Sequence, residues 1–189
     1  MINIIDKDNI EFDHLKKDFH RRFIKFKNNS VYWKLKYYYN HPQYRTLLYY
    51  RLSKAIKQKF IRRLFHYLYD KSSKRFGLEI LTPELGGGVI MPHWGRILIN
   101  AEEVGDNLYI FHNVTIGNDY KKGRPKIGKN VFIGAASVII GDITIGDNVV
   151  IGANSCVLVD IPSNSLVVGN PAKVVKNIDP DYIQQMIGY

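Results

Sequence analysis

Two histidines carry the clearest chemical promise in this chain. His93 falls in Met91-Pro92-His93-Trp94-Gly95-Arg96, and His112 falls in Ile110-Phe111-His112-Asn113. An imidazole titrates close to neutrality, so it is the side chain best suited to take and return a proton at physiological pH. A base of that kind is often held in one tautomer by a carboxylate. The other four histidines, His14, His20, His41 and His66, lie in segments of helical pattern and read as packing or surface residues. No metal site is expected, because Cys156 is the single cysteine and no cluster of ligands has metal-binding spacing. The chain also lacks the Gly-x-Ser-x-Gly elbow of a serine nucleophile. The chemistry left open is direct attack by a bound hydroxyl with a histidine as general base.

A repeat must position these residues. Ile127, Ile133, Ile139, Ile145, Ile151 and Val157 recur at a strict period of six. Upstream the same period runs through Leu98, Val104, Ile110 and Ile116. A period of six fits neither an α-helix nor a simple alternating strand. It predicts a hexapeptide β-helix, in which three six-residue faces close one coil and each aliphatic residue stacks on its copy in the next. At eighteen residues per coil and roughly 4.8 Å of rise per coil, residues 80–168 make a prism of about five coils. Its parallel connections are left-handed, against the usual rule. The step from Ile116 to Ile127 is eleven residues, so Asn118 to Lys126 forms an exposed polar loop containing Arg124. His93 interrupts the aliphatic pattern, where a side chain can face a cleft. His112 comes two residues after a stacking position and points outward. Cys156 reads as a small core or corner residue.

The rest of the chain is different material. Residues 1–75 hold 19 Lys and Arg against 6 Asp and Glu, whereas residues 76–189 hold 8 against 11. All 15 glycines lie at Gly77 or later. The first part has helical spacing: Phe12, Leu15, Phe19, Phe23 and Phe26 within Asp6–Phe26, then Leu47, Leu48, Arg51, Leu52, Ala55 and Ile56, then Ile61, Leu64, Phe65, Leu68 and Tyr69. His41-Pro42 breaks the pattern. The expected organisation is an α-helical domain over 1–77, a β-helix over 78–175, and a tail over 176–189 with a short helix capped by Asp179. The overall class is therefore mainly β, a left-handed parallel β-helix preceded by helices. The single cysteine indicates a reducing compartment, and neither a signal peptide nor a membrane-spanning run is read in the chain. The net charge of +10 raises the question of nucleic acid, but the basic part holds no readout motif. No nucleic acid is expected. The basic, aromatic segment 1–75 suits peripheral contact with an anionic membrane from the cytoplasmic side.

The stretch from His41 to Lys176 resembles the hexapeptide acyltransferases, and within them serine O-acetyltransferases and their relatives that acetylate surface polysaccharides. The resemblance rests on four segments. They are His41–Leu52, Val89–Ile99 around His93, Ile110–Gly117 around His112, and Val168-Gly169-Asn170-Pro171-Ala172-Lys173. It implies a homotrimer that uses acetyl-CoA as co-substrate, with His93 as general base and Glu79 as its acidic partner. It implies that the CoA arm runs past Gly134, Ala135, Ala136 and Ala153, with Lys173 near a phosphate. His112, Asn113, Arg124 and Trp94 then fall to the acceptor. In the serine branch the inserted loop ends in an arginine and a histidine before the proline, whereas here only Arg124 precedes Pro125. The helical part is also shorter. Both departures favour a sugar hydroxyl over L-serine as the small-molecule or glycan acceptor, with L-serine the alternative. A β-helix scaffold without catalysis is a third reading.

Overall fold

A computed structural model describes residues 9–23, 30–119 and 123–187. Four helices come first: α1 (Ile10–Phe23), α2 (Val31–Asn40), α3 (Pro42–Ala55) and α4 (Lys59–Phe76). Pro42 opens α3, at a position where its missing N–H has no helical partner to lose. Gly77 closes α4 in the left-handed conformation (φ 70°), its N–H bonded to the Ser73 carbonyl at 2.7 Å. Leu15, Phe23, Leu47 and Ala55 are buried as their spacing requires. The apolar set of α4 splits instead: Tyr69 is buried, whereas Leu64 is 48% exposed and Phe60, beside it on the helix, 84% exposed. Asp6 and Phe26, the expected ends of the first helix, lie outside the described residues.

The prism follows as a parallel β-solenoid of about five turns, the left-handed β-helix anticipated from the repeat. On its first face Ile80, Ile99, Ile116, Ile139 and Val157 stack in register. The second face stacks Leu85, Val104, Ile127 and Ile145. The third stacks Ile110, Ile133, Ile151 and Val167. None of these thirteen is more than 4% exposed, and each such side chain contributes roughly 1.5–3 kcal/mol by leaving water. Two details differ from the repeat as written in sixes. Ile99 faces inward and Leu98 pairs with Thr115 on the outside, because the corner before Val104 is one residue shorter. Cys156 lies in a strand opposite Val138, half-buried, rather than at a corner.

The corners have their own chemistry. Between the second and third faces, Asn107, Asn130, Asn148 and Asn164 all adopt the left-handed conformation (φ 55–67°). Their side-chain amides form a ladder, each rung 3.0 Å. Asparagine tolerates this conformation better than other residues with a side chain.

The helices are clamped onto the first turns of the prism. Arg51, at the spacing of an apolar position in α3, is completely buried. It donates to Glu11 (2.9 Å) and Asp18 (3.0 Å) of α1 and to the carbonyls of Leu85 and Gly86. Asp18 also accepts the Val89 N–H at 2.8 Å. A single apolar cluster extends from Phe23, Tyr38 and Tyr44 in the helices to Val167 near the far end of the prism. There, Ser165–Gly169 turns back antiparallel to Ala172–Asn177. The helix α5 (Tyr182–Ile187) closes the described chain, with the Asp179 carboxylate accepting the Asp181 N–H at 2.9 Å.

Candidate active site

The corner that joins the third face to the first collects most of the residues singled out above. Three of its turns lie directly on one another. The Ala136 N–H meets the His112 carbonyl at 3.1 Å, and the Asn154 N–H meets the Ala135 carbonyl at 2.9 Å. The turn above them is the segment that holds His93. Gly95 lets this segment approach, since a Cβ there would sit 2.6 Å from the His112 Cβ. The result is a column that runs from His93 through His112 to Ala135, Ala136 and Ala153.

At the head of the column the His93 ring is exposed. It meets the His112 ring edge-on, with centroids 5.9 Å apart and planes at 85°, and it lies 5.7 Å from Phe111. His112 is half-buried, and its Nδ1 is fully enclosed with no hydrogen-bond partner among the described residues. A polar atom left in that state costs about 1–3 kcal/mol until a ligand atom or water meets it. Trp94, 66% exposed, offers an uncovered aromatic surface beside His93.

Below the histidines the corner narrows to small residues. A Cβ on Gly134 would lie 2.5 Å from the Ala153 nitrogen, so only glycine lets these two coils approach. Ala136 and Ala153 are exposed, and over these two coils Gly134, Ala135, Ala136, Gly152 and Ala153 carry nothing larger than a methyl. A slender chain bearing amides can therefore reach the backbone along this edge. The hairpin flanks the lower end, because the Val168 side chain lies 2.8 Å from the position of a Cβ on Gly152. Lys173 pairs with Val168 in the hairpin register and is exposed. The chemical needs of acetyl-CoA, a narrow pantetheine arm and phosphates, fit this edge and its cation.

Glu79 stands elsewhere. It is on the outer side of the first face, level with Leu98 and Thr115, and no hydrogen bond or ion pair joins it to His93 among the described residues. It lines a cleft of about 690 Å³ between α4 and the first strands of that face. Asn113 lines the same cleft and is the residue next to His112, so it links cleft and column. Arg124 belongs to the corner between the first and second faces, where it donates to Glu102 at 2.8 Å; one chain alone does not bring it to His93. Tyr120 to Lys122 of that loop lie outside the described residues. Asp70, Lys74 and Arg96, none of them among the candidates from sequence, also line the cleft. Arg96, three residues after His93, was the available signal. Among the described residues no group of three or more His, Cys, Asp or Glu is placed to hold a metal ion.

Comparison with known proteins points the same way as the geometry. A family model described as bacterial transferase hexapeptide (six repeats) matches residues 124–158. The serine acetyltransferase of Helicobacter pylori is 36% identical over 144 residues, which cover 71% of this chain and 82% of that protein. Serine acetyltransferase 1, chloroplastic, of Arabidopsis thaliana is 42% identical over 113 residues, 57% of this chain and 36% of the plant protein. The chain thus spans little more than a third of that relative's length. Among solved structures, serine acetyltransferase from Brucella abortus in complex with coenzyme A superposes with a TM-score of 0.68 at 28% identity. The match covers 92% of this chain and 71% of that one.

Proposed function

The chain belongs to the serine acetyltransferase family of hexapeptide transferases, and on that footing we propose that it moves the acetyl group of acetyl-CoA to a hydroxyl, with L-serine as acceptor. One observation carries the reading: the exposed ring of His93 stands at the head of a column whose next two coils are stripped to glycine and alanine. A base and a groove for a thin acyl carrier are thereby aligned on one edge. His93 takes the hydroxyl proton as that oxygen attacks the thioester carbonyl, and returns it to the departing thiolate. The backbone at Gly134, Ala135, Ala136 and Ala153 holds the pantetheine arm, and Lys173 meets a phosphate. His112 and the side chain of Asn113 stand on the acceptor side, next to His93. Glu79 acts on the acceptor side of the site.

L-serine replaces the sugar that the missing loop histidine and the shorter helical part suggested, because relatives such as the Helicobacter pylori protein, matched over 82% of its length, are named for serine. A sugar hydroxyl keeps one specific support: Arg124, the loop cation of the serine branch, is already bound to Glu102. Thiol release from acetyl-CoA, measured with L-serine and with a panel of sugars and nucleotide sugars, separates the two. Turnover with L-serine above every sugar supports the reading, and turnover only with a sugar overturns it.

The working form is a homotrimer, with each edge column closed by a neighbour. Among the described residues no helix is long and apolar enough to cross a membrane. The outer stripe of α4, with exposed Phe60, Leu64 and Tyr67 among Arg63 and Lys71, is the part of residues 1–75 suited to peripheral contact with an anionic membrane from the cytoplasmic side. Cosedimentation with vesicles containing phosphatidylglycerol tests that contact. Equal binding to neutral vesicles would rule out the charge contribution.

A further inference from the structure

The corner that carries His93 is longer than the one beneath it. Met91, level with Ile110, is six residues from Ile97, whereas Ile110 is four from Val114. Residues 92–96 form no backbone hydrogen bond among the described residues, so the two ends of the span set where His93 stands. At the far end the Ile97 N–H donates to the Gly77 carbonyl at 2.8 Å. At the near end the first coil has no coil outside it, and its outward backbone groups need other partners. Ile90 turns both of its groups to the next coil, meeting Leu108 and Ile110 at 2.9 Å each. Those of Met91 point the other way, and α3 takes them. The Met91 N–H donates to the Tyr44 hydroxyl at 3.1 Å, and the Gln43 Nε2 donates to the Met91 carbonyl at 3.4 Å.

Upstream, charged side chains hold the same edge. Arg51 takes the Leu85 and Gly86 carbonyls, Arg21 the Gly88 carbonyl, and Asp18 the Val89 N–H. Met91 is the last residue so held before His93. Gln43 and Tyr44 are 4% and 1% exposed. The Gln43 Oε1 is enclosed with no hydrogen-bond partner among the described residues, a cost that an apolar side chain would not carry. Packing alone does not account for an amide at this position, whereas the bond to Met91 does. We propose that Gln43 and Tyr44 are positioning residues for His93, anchoring the near end of its corner and so placing the imidazole at the head of the column. The inference rests on the reading of His93 as the base, and it gives α3 a part in the reaction without contact to either substrate.

The test compares Tyr44→Phe and Gln43→Met, which keep side-chain bulk and remove the bonds to Met91, with Thr46→Val. The buried Thr46 hydroxyl joins α3 to Ser72 of α4, so that variant loosens the helices without touching Met91. Two readouts are taken on the full chain. The first is the proton resonance of the His93 ring, assigned by its loss in His93→Ala and sensitive to the Phe111 and His112 rings at 5.7 and 5.9 Å. The second is steady-state thiol release from acetyl-CoA with L-serine. A misplacement of about 1 Å costs up to roughly a hundredfold in rate, so loss of one anchor of two should lower kcat roughly tenfold, with the KM for acetyl-CoA unchanged. Both anchor variants should also shift the His93 resonance. Thr46→Val should lower the thermal midpoint and leave resonance and kcat at the parent values. Should Tyr44→Phe fail to fold, Gln43→Met carries the test. A parent-like His93 resonance or a parent-like kcat in the anchor variants would overturn the proposal, as would an equal fall of kcat in Thr46→Val. If His93→Ala loses activity in the same series, those results remove the positioning role alone. A parent rate in His93→Ala removes the base reading and the positioning role with it.

Discussion

Ala136 is the residue whose replacement separates stability from cofactor binding most cleanly. At the corner joining the third face to the first, the residue in left-handed conformation is Asn113 (φ 60°), Ala136 (φ 59°) and Asn154 (φ 57°) on successive coils. Two positions hold the residue that suits this conformation, and the middle one does not. A side chain with a Cβ costs roughly 1–2 kcal/mol there, and asparagine recovers part of it by local hydrogen bonding. In the Ala136→Asn variant the new amide stands between Asn113 and Asn154, much as Asn130 and Asn148 stand in the ladder at the other corner. The expected gain is about 1 kcal/mol, or about 2–4 °C in thermal midpoint for a chain of this size. The same amide projects into the proposed pantetheine groove. Loss of one backbone contact there weakens CoA binding roughly tenfold, equivalent to about 1.4 kcal/mol. Ala136→Gly relieves the same strain but loosens the unfolded chain, so its stability moves by less than about 1 kcal/mol and its CoA affinity stays. Scanning calorimetry and isothermal titration with CoA read the two effects. Ala136→Asn that binds CoA like the parent would show that the column does not face the acyl carrier, and a lower midpoint would contradict the strain argument.

Removing Arg51 as Arg51→Ala leaves Asp18 as a buried carboxylate without its cation, whereas Glu11 keeps Lys54 at 3.2 Å, a loss of about 3–5 kcal/mol. It should appear as a lower urea midpoint, partly restored by adding Asp18→Asn, and a midpoint like the parent's would contradict the clamp. Stability should also fall on mild acidification. Burial, with Arg51 beside it, holds His14 below its ordinary value of 6.5, and burial with Arg22 nearby does the same for His41. The folded form keeps both rings neutral while the unfolded chain takes up protons below 6.5. Their contribution is therefore complete above that pH and is lost as the pH falls from 6.5 toward the folded values. Thermal midpoints between about pH 7.5 and 5.5 should decline less in His14→Gln than in the parent, and identical slopes would exclude the His14 part.

The prism was legible because burial enforces its period. Each of Ile127, Ile133, Ile139, Ile145, Ile151 and Val157 has to enter a closed interior, and five intervening residues are what one face and corner need. Where a corner is shorter, as before Val104, the count slipped and Leu98 stood in for Ile99. His93 was legible for the converse reason, as a polar break in that pattern. Arg51 was not legible, since its spacing matches Leu47 and Ala55 and only the arrival of Glu11 and Asp18 from another helix allows a cation inside. Glu79 shows the same limit. The family resemblance implied a partner for His93, but the strand directs Glu79 to the outer side of the first face, into a cleft. The charges that line the cleft with it, Asp70 and Lys74, come from α4 and share no motif with it. The outward stripe of α4 was equally hidden, because Leu64–Leu68 and Phe65–Tyr69 each keep a spacing of four while Leu64 is exposed and Tyr69 buried.

The central claim is that His93 is the base of an acetyl transfer on this edge column. It is tested most directly by the rate of thiol release from acetyl-CoA in His93→Ala against the parent, with CoA affinity measured on the same samples. The exposed position of His93 means that the substitution leaves the fold in place. The rate should fall roughly 10²–10⁴-fold, the usual contribution of a general base, with CoA binding retained. A variant that binds CoA and transfers acetyl at the parent rate would contradict it.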